Sequence, residues 1–448
     1  MDQTSMNAPA RYPLWQRLRD LRQMRRDPFN TILAISQRGE FTPFPAPSHA
    51  YLATTPTIAA AILVEQGASV ERSTIDRSLL GTLLGDGLLM SREPRHRRQR
   101  KLMAPAFTPT HVQFYGALMA EAAERLHAPW SEGTRLDLQS AMTALTLEIV
   151  VSALFGAEVS DDVGQVRDNV RFILAYLSRW IASVVPLPLT WPHHRRYHQA
   201  IHQLDSVVQR IITERRAHPE ERGDLLSLLM HAQDEDDGAF MTDAELRDEI
   251  MSIILAGHET TANALTWAWY LLMRHPAWYD RLCTEVETAL AGRTPGVEDL
   301  PRLQLAQRIF KETLRLYPPA SLVNREVIAP IAIDGRTLTP GMTILISLYV
   351  LHRRPDSFPD PNTFDPDRFI NDAEKTWPRM AYLPFAGGTH ICIGNHFALL
   401  EGPLILATLA QRVRFSLAEE VAVRPIMEVT LRPSPFEVLI HRRQRRLA

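Results

Sequence analysis

The chain has 448 residues, with 49 Lys and Arg against 51 Asp and Glu and a formal net charge of -2. Hydrophobic residues make up 45% and charged residues 22%, an ordinary globular composition that excludes a disordered chain, a collagen-like repeat and a small disulfide scaffold. No excess of positive charge marks a general nucleic-acid binder. Two cysteines in so long a chain, Cys283 and Cys392, point to a reducing cytoplasm.

Met1 to Ala10 is polar and Arg11 to Arg26 mixes Leu and Trp with many Arg residues, so no signal-peptide apolar core follows the basic residues. No stretch reaches the ~18 nearly unbroken apolar residues of a membrane span. Prolines at Pro43 to Pro47, Pro186 to Pro188, Pro318-Pro319 and Pro355 to Pro366 punctuate the chain without opening a linker. One domain over 1–448 is expected, with flexible tails at 1–13 and 441–448. Helical periodicity dominates from about His96 to Tyr317, and in Arg95-His96-Arg97-Arg98-Gln99-Arg100-Lys101 it places His96 and Arg100 on one face. A solvated basic face is the plain alternative.

Thr242-Asp243-Ala244-Glu245 is a capping box. Apolar residues at Leu246, Ile250, Ile253, Ile254, Leu265, Ala268 and Leu272 extend one helix to His275, where Pro276 stops it. At 1.5 Å per residue it is about 45 Å long, enough to cross a domain. Its centre, Ala256-Gly257-His258-Glu259-Thr260-Thr261, holds a glycine, an acid and hydroxyls. The glycine alone costs about 1 kcal/mol relative to alanine, so a buried helix needs a reason for them. The structural alternative for Thr260 is a bond back to the carbonyl of Ala256.

Further on, Glu312-Thr313-Leu314-Arg315 sets an acid and a base at i and i+3 on an apolar helix ending at Pro318-Pro319; alone, such a pair carries no weight. Ile331 to Ile333, the turn Asp334-Gly335, Leu338 and Thr343 to Ile346 read as a β-hairpin, and Val429 to Ile440 as a second. The strongest signal is Phe385-Ala386-Gly387-Gly388-Thr389-His390-Ile391-Cys392-Ile393-Gly394. Its first two glycines allow unusual backbone angles, and Gly394 lets the backbone pass close to the sulfur. The apolar stretch Phe397, Ala398, Leu400 puts Cys392 just before a helix N-terminus, which favours a thiolate. A thiolate in such a loop, against an aromatic ring, is what an axial ligand to haem iron requires. Cys283 reads as a small buried hydrophobe, and His441 to Arg446 as a solvated tail.

Phe385, Gly388, Cys392 and Gly394 resemble the haem-binding signature of the cytochromes P450, and the resemblance extends from roughly Leu14 to Ile440. It implies a mainly α fold with a small β-rich part, a single large haem domain, and haem b ligated through the Cys392 thiolate, the ligation known for the family. It implies that Glu259 and Thr260 are the acid–alcohol pair of oxygen activation, with Gly257 leaving room beside the iron. His96, Arg100, Arg325 and His390 match propionate partners, and Phe385, Cys392 and Gly394 complete the haem-binding set. Glu312 and Arg315, joined by Arg368 of Pro366-Asp367-Arg368-Phe369, match a buried structural network in which Asp367 replaces the family's Glu.

By analogy the substrate pocket is lined by Leu83, Leu88 and Leu89, by Ile253 and Ala256, and by Ala320, Leu322 and Val323. Pro433 and Ser434 would close it. These residues are apolar or small, so a lipophilic ligand is expected, with terpenoid, steroid and fatty acid all open. The implied activity inserts one atom of O2 into a C–H or C=C bond. Electrons would come from a separate ferredoxin or flavodoxin with its reductase, since no room is left for a fused reductase domain. Arg97, Arg98 and Lys101 would attract the acidic donor. A cytoplasmic monomer without membrane anchor or nucleic-acid partner is expected. Two rivals stand: a peroxygenase or haem isomerase of the same fold, against which the intact Glu259-Thr260 argues, and a haem-binding sensor without turnover.

Overall fold

The computed structural model describes residues 12–45, 49–156, 160–181, 191, 194–218 and 223–443. The helices that build the site are α1 (Leu14–Arg26), α2 (Thr74–Leu84), α3 (Arg95–Met103), α4 (Leu138–Phe155), α5 (Ser160–Ile181), α6 (Arg195–Ala217), α7 (Asp243–Arg274), α8 (Pro276–Leu290), α9 (Gln304–Leu316) and α10 (Asn395–Arg412). The strands are β1 (Phe41–Phe44), β2 (Ala50–Ala53), β3 (Val70–Glu71), β4 (Arg135–Asp137), β5 (Leu322–Val327), β6 (Ile331–Ile333), β7 (Arg336–Leu338), β8 (Thr343–Ser347), β9 (Val413–Leu417), β10 (Pro425–Met427), β11 (Leu431–Pro433) and β12 (Glu437–Arg442).

The axis of the molecule is α7. Its capping box forms as the sequence predicts: Glu245 N–H donates to the Thr242 hydroxyl at 3.2 Å, and Thr242 N–H to the Glu245 carboxylate at 2.9 Å. The helix runs unbroken to Arg274, and α8 opens at Pro276. Alongside it lies α4, whose first turn is capped by Asp137 accepting from Ser140 N–H. The approach is close because Gly257 has no side chain: a Cβ there would stand 3.0 Å from Val150 Cγ2. Its glycine therefore answers to α4, which is a different reason from the room beside a cofactor that the sequence suggested. Thr146 of α4 also donates to the carbonyl of His258 at 2.8 Å. Among the described residues, α4 alone is long and apolar enough to cross a membrane, and most of it is buried here.

The β structure differs from expectation in two places. The hairpin β6–β7 turns at Asp334 and Gly335, both at positive φ. Its expected continuation, β8, leaves to become the central strand of the sheet β1-β2-β8-β5-β3, parallel to β2 and antiparallel to β5. Ile344, Leu345 and Ile346 are all buried, so β8 is covered on both faces, which a free hairpin arm could not satisfy. Near the C-terminus, β11 pairs with β10, whereas β12 pairs with β9 and β4. Pro433 and Pro435 separate the two systems, proline being unable to donate to a continuing ladder.

The tails expected at 1–13 and 441–448 lie partly outside the described residues. Within the described part, Tyr12 donates to buried Asp20, which also accepts from Arg38 at 2.5 Å. His441 and Arg442 belong to β12, with Glu132 accepting from both, and Arg443 donates to the carbonyl of Ala410 and to Glu287. The chain is thus built into the fold through Arg443, so 441–443 are not the tail the sequence suggested; residues 444–448 lie outside the described residues.

Candidate active site

The cysteine loop is shaped by its backbone. Gly388 sits at φ +72°, where a Cβ would meet the Leu63 carbonyl at 2.0 Å, so only glycine fits. Cys392 N–H donates to the Phe385 carbonyl at 2.9 Å, closing the loop, and α10 starts three residues later. Gly394 has ordinary helical-side φ, and a Cβ there would lie 4.0 Å from Cys392 Sγ, so the sulfur does not demand glycine. What residue 394 contributes is its N–H, which together with Arg100 draws the thiol pKa down. Burial outweighs both and pushes it up. The helix terminus expected to favour a thiolate therefore does not win by itself; a bound metal cation is what deprotonates such a thiol.

Cys392 is nevertheless accessible. Ala256, at the middle of α7, is exposed in the same way. Glu401 of α10, nearly inaccessible, lies close to Thr261 on α7, whose hydroxyl lowers a carboxyl pKa that burial raises to about 8. Among the described residues no cluster of three His, Cys, Asp or Glu side chains could hold a bare metal ion. One accessible cysteine suits a metal that brings its other ligands with it, as haem does.

A cationic basin lies beside the loop. His96 is buried, and its ring stands 4.0 Å from that of His390. Burial, followed by Arg325, His96, Arg72 and Arg100, pushes His390 down to about 3. Arg325 is 4% exposed, and burial and Arg72 lower it to about 10, Asp76 offsetting them in part. Arg100 donates to the Ile391 carbonyl at 2.7 Å. Among the described residues, the acids paired with them are Asp76, 3.5 Å from Arg72, and Glu93, 3.2 Å from His96. Burial lowers the proton affinity of all five, and the arginines lower that of His96, His390 and Arg325 further; such a set is a fit for two further carboxylates, which is what haem carries. Arg72 is the member that sequence reasoning missed: nothing in Glu71-Arg72-Ser73 marks it, and only the pairing of β3 with β5, Glu71 opposite Glu326, brings it beside Arg325.

The outer basic residues behave otherwise. Arg98 pairs with Asp234 at 2.9 Å and Glu245 at 3.0 Å, and Lys101 with Glu235 at 3.1 Å. Acids at 234–236 therefore pair with Arg98 and Lys101 of the patch expected to meet an electron donor, and Arg97 is exposed.

On α7, Thr260 donates to the Ala256 carbonyl at 2.7 Å. Burial raises the pKa of Glu259, whose Oε1 accepts from the Thr430 hydroxyl at 2.8 Å. His258 between the two chemistries is a buried spacer: its Nδ1 lies 2.6 Å from the Ile254 carbonyl, and burial lowers it to about 4.

Leu88 and Leu89 sit on a loop pinned to α7. Glu249 accepts from Leu88 N–H at 2.8 Å and Asp248 from Asp86 N–H at 2.8 Å. Ile253 is half-buried and Ala320 exposed. Leu322 and Val323 are adjacent in β5 and point to opposite faces; Val323 shares its face with Arg325, whereas Leu322 packs with Ile32, Ile35 and Leu52 and belongs to the sheet core. The Ser434 hydroxyl accepts from Arg424 N–H at 3.0 Å, closing the open end of the β10–β11 hairpin. The residue that reaches α7 is Thr430, at the hairpin's tip. A separate apolar cavity lies among Leu83 of α2, Val170 and Ile173 of α5, Leu204 of α6, and Met251, Ile254 and Leu255 of α7.

Glu312 and Arg315 are fully buried and bidentate, at 2.7 and 2.8 Å, with Arg315 also donating to the carbonyls of His352, Pro361 and Thr363. Arg368 approaches Glu312 at 3.5 Å. Cys283 is buried on α8, its sulfur 3.9 Å from the Ala410 carbonyl.

An accessible cysteine in a glycine-shaped loop, beside a basin for carboxylates and under a helix carrying an acid and an alcohol, defines a haem-thiolate protein. Residues 9–440 match the cytochrome P450 family model, and the chain belongs to that family. It is 38% identical over 361 residues to cyclooctatin synthase of Streptomyces melanosporofaciens, covering 80% of this chain and 79% of that one. To cyclooctat-9-en-7-ol 5-monooxygenase of the same organism it is 34% identical, over 96% and 91% of the two chains. Pentalenene oxygenase of Streptomyces avermitilis is 32% identical over 91% of each. The crystal structure of the cytochrome P450DA heme domain superposes with a TM-score of 0.87 at 25% identity, over 98% of both chains. The chain has the cytochrome P450 fold and is a monooxygenase that uses haem b, O2, a substrate and redox partners; the sensor without turnover is set aside.

Proposed function

We propose that this monooxygenase hydroxylates or epoxidises a terpenoid, acting as a monomeric, cytoplasmic single haem domain with electrons from a separate ferredoxin or flavodoxin and its reductase. The observation that supports the substrate class is the similarity to relatives named for cyclooctat-9-en-7-ol and pentalenene, over nine-tenths of the chain. The substrate-side residues agree: Leu88, Leu89, Ile253, Ala256 and Val323 offer apolar surface.

In the reaction R–H + O2 + 2 e⁻ + 2 H⁺ → R–OH + H2O, haem b when bound supplies the activation of O2 and the transfer of one oxygen atom. The chain's own side chains do the rest. Cys392 provides the iron's thiolate, and the Gly394 N–H and Arg100 favour its charge. Arg72, Arg100, Arg325, His96 and His390 take the two carboxylates of the cofactor, neutralising charge that would be costly to bury. Glu259, its pKa raised by burial, carries a proton at the middle of α7, and Thr260 opens its bond to Ala256 to pass it on. Glu312, Arg315 and Arg368 have a structural role: Arg315 donates to the His352 carbonyl, and His352 accepts from Leu383 N–H just before the cysteine loop.

The test is a spin-state titration of the ferric holoenzyme with pentalenene, a steroid and a long-chain fatty acid. A saturable Soret shift with the terpene alone is the expected result. A shift with the fatty acid and none with the terpene would overturn the substrate class.

A further inference from the structure

Glu259 faces a polar group that the acid–alcohol pair does not need. Thr430, 8% exposed at the tip of the β10–β11 hairpin, donates to Glu259 Oε1 at 2.8 Å. Its own oxygen accepts from Asn263 Nδ2 at 2.8 Å, and the fully buried Asn263 accepts in turn from Gln139 Nε2 at 2.7 Å. Asn263 Nδ2 fills one acceptor position of the Thr430 oxygen, and the Thr430 hydroxyl is aimed at Glu259 Oε1. With that hydrogen given to Oε1, a proton on Glu259 sits on Oε2. The charged groups acting on Glu259 are Glu428 and Arg432, both on the same hairpin and paired with each other at 2.7 Å.

The hairpin also touches the substrate side. Leu431 N–H donates to the Pro319 carbonyl at 2.8 Å, beside Ala320. One rigid tip thus contacts both the pocket wall and the acid on α7.

We propose that Thr430 is a positioning residue for proton transfer, which with Asn263 and Gln139 fixes the Glu259 carboxyl so that its proton rides on Oε2, and which ties that arrangement to the seat of the hairpin against the substrate wall. This rests on reading Glu259 as the proton carrier. A hydrogen bond donated to a carboxylate favours its charged form, and the Thr430 bond lowers a pKa that burial raises.

The experiment is infrared titration of the protonated-carboxyl band in the ferric holoenzyme, the Glu259 band being the one that Glu259→Gln removes. In Thr430→Val, of nearly equal volume, that band should move to higher frequency and its midpoint should rise by about one pH unit; Thr430→Ser should restore both. An unchanged band and midpoint in Thr430→Val, or the same change in Thr430→Ser, would overturn the proposal. Should the valine variant not fold, Asn263→Ala releases the Thr430 hydroxyl to rotate, and an unmoved band there overturns it equally. The carrier reading is tested apart from this: Glu259→Gln that turns over with unaltered peroxide release would remove Glu259 as proton carrier while leaving the infrared result standing.

Discussion

At the scale of single residues, the cation basin shows how much of the cofactor's hold is contributed by a side chain that no motif announces. Burial lowers the pKa of both Arg72 and Arg325, Arg72 lowers that of Arg325 further, and Asp76 offsets only part of this. A carboxylate bound between them relieves the repulsion, and charge-assisted bonds of this type contribute about 1.5–3 kcal/mol each. Arg72→Leu should therefore release haem roughly 10- to 100-fold faster than the parent protein, measured by transfer to excess apomyoglobin. An unaltered rate would remove Arg72 from the set. His96, Arg100, Arg325, His390 and Cys392 were legible because each sits at a fixed spacing from another marker in the chain. Arg72 and Thr430 were not, because a β pairing and a hairpin tip bring them in, and neither leaves a periodic trace.

Among elements, the pairing of α4 with α7 is set by one missing methyl group. A Cβ on Gly257 would press Val150 at 3.0 Å, tighter than ordinary van der Waals contact, so the helices must part by a few tenths of an ångström or Val150 must turn. Gly257→Ala gains about 1 kcal/mol of helix propensity and loses about 1–3 kcal/mol to overpacking. A net loss of stability is expected, and Val150→Ala added to it should recover part of that loss, a coupling readable from a double-mutant cycle in urea. Additive effects would mean that the contact is not what requires glycine. The helices were readable from periodicity and caps, α7 to within a residue at each end. Strands were harder: β8 and β12 each continue a local hairpin pattern, but their partners, β2 and β5 for one and β4 and β9 for the other, lie up to about 300 residues away in sequence, and local alternation says nothing about distant partners.

Over the whole molecule, α7 is the post to which the other parts are tied, and the ties are buried carboxyls. Glu249 holds the loop carrying Leu88, Glu259 the β10–β11 hairpin, and Glu401 joins α10 to Thr261. Burial raises all three, and Glu249 and Glu401 each reach about 8. Because the folded pKa lies above the unfolded value, each contributes stability that is full below about pH 4.5 and lost as pH rises through 8, at about 1.4 kcal/mol per pKa unit. The buried histidines act in another range. His258 and His352, lowered to about 4 and 3, are neutral in the folded state and nearly so in the unfolded one above about pH 7, and add little slope there. Between pH 7 and 8 the decline in stability should therefore belong largely to the buried acids. Melting temperature should fall over that interval in the parent holoenzyme and fall less in Glu401→Gln and in Glu249→Gln, with the two changes adding because the residues share no partner. A parent protein equally stable at pH 7 and 8 would show that neither carboxyl is held neutral, and the three ties along α7 would then be ion–dipole contacts to charged acids.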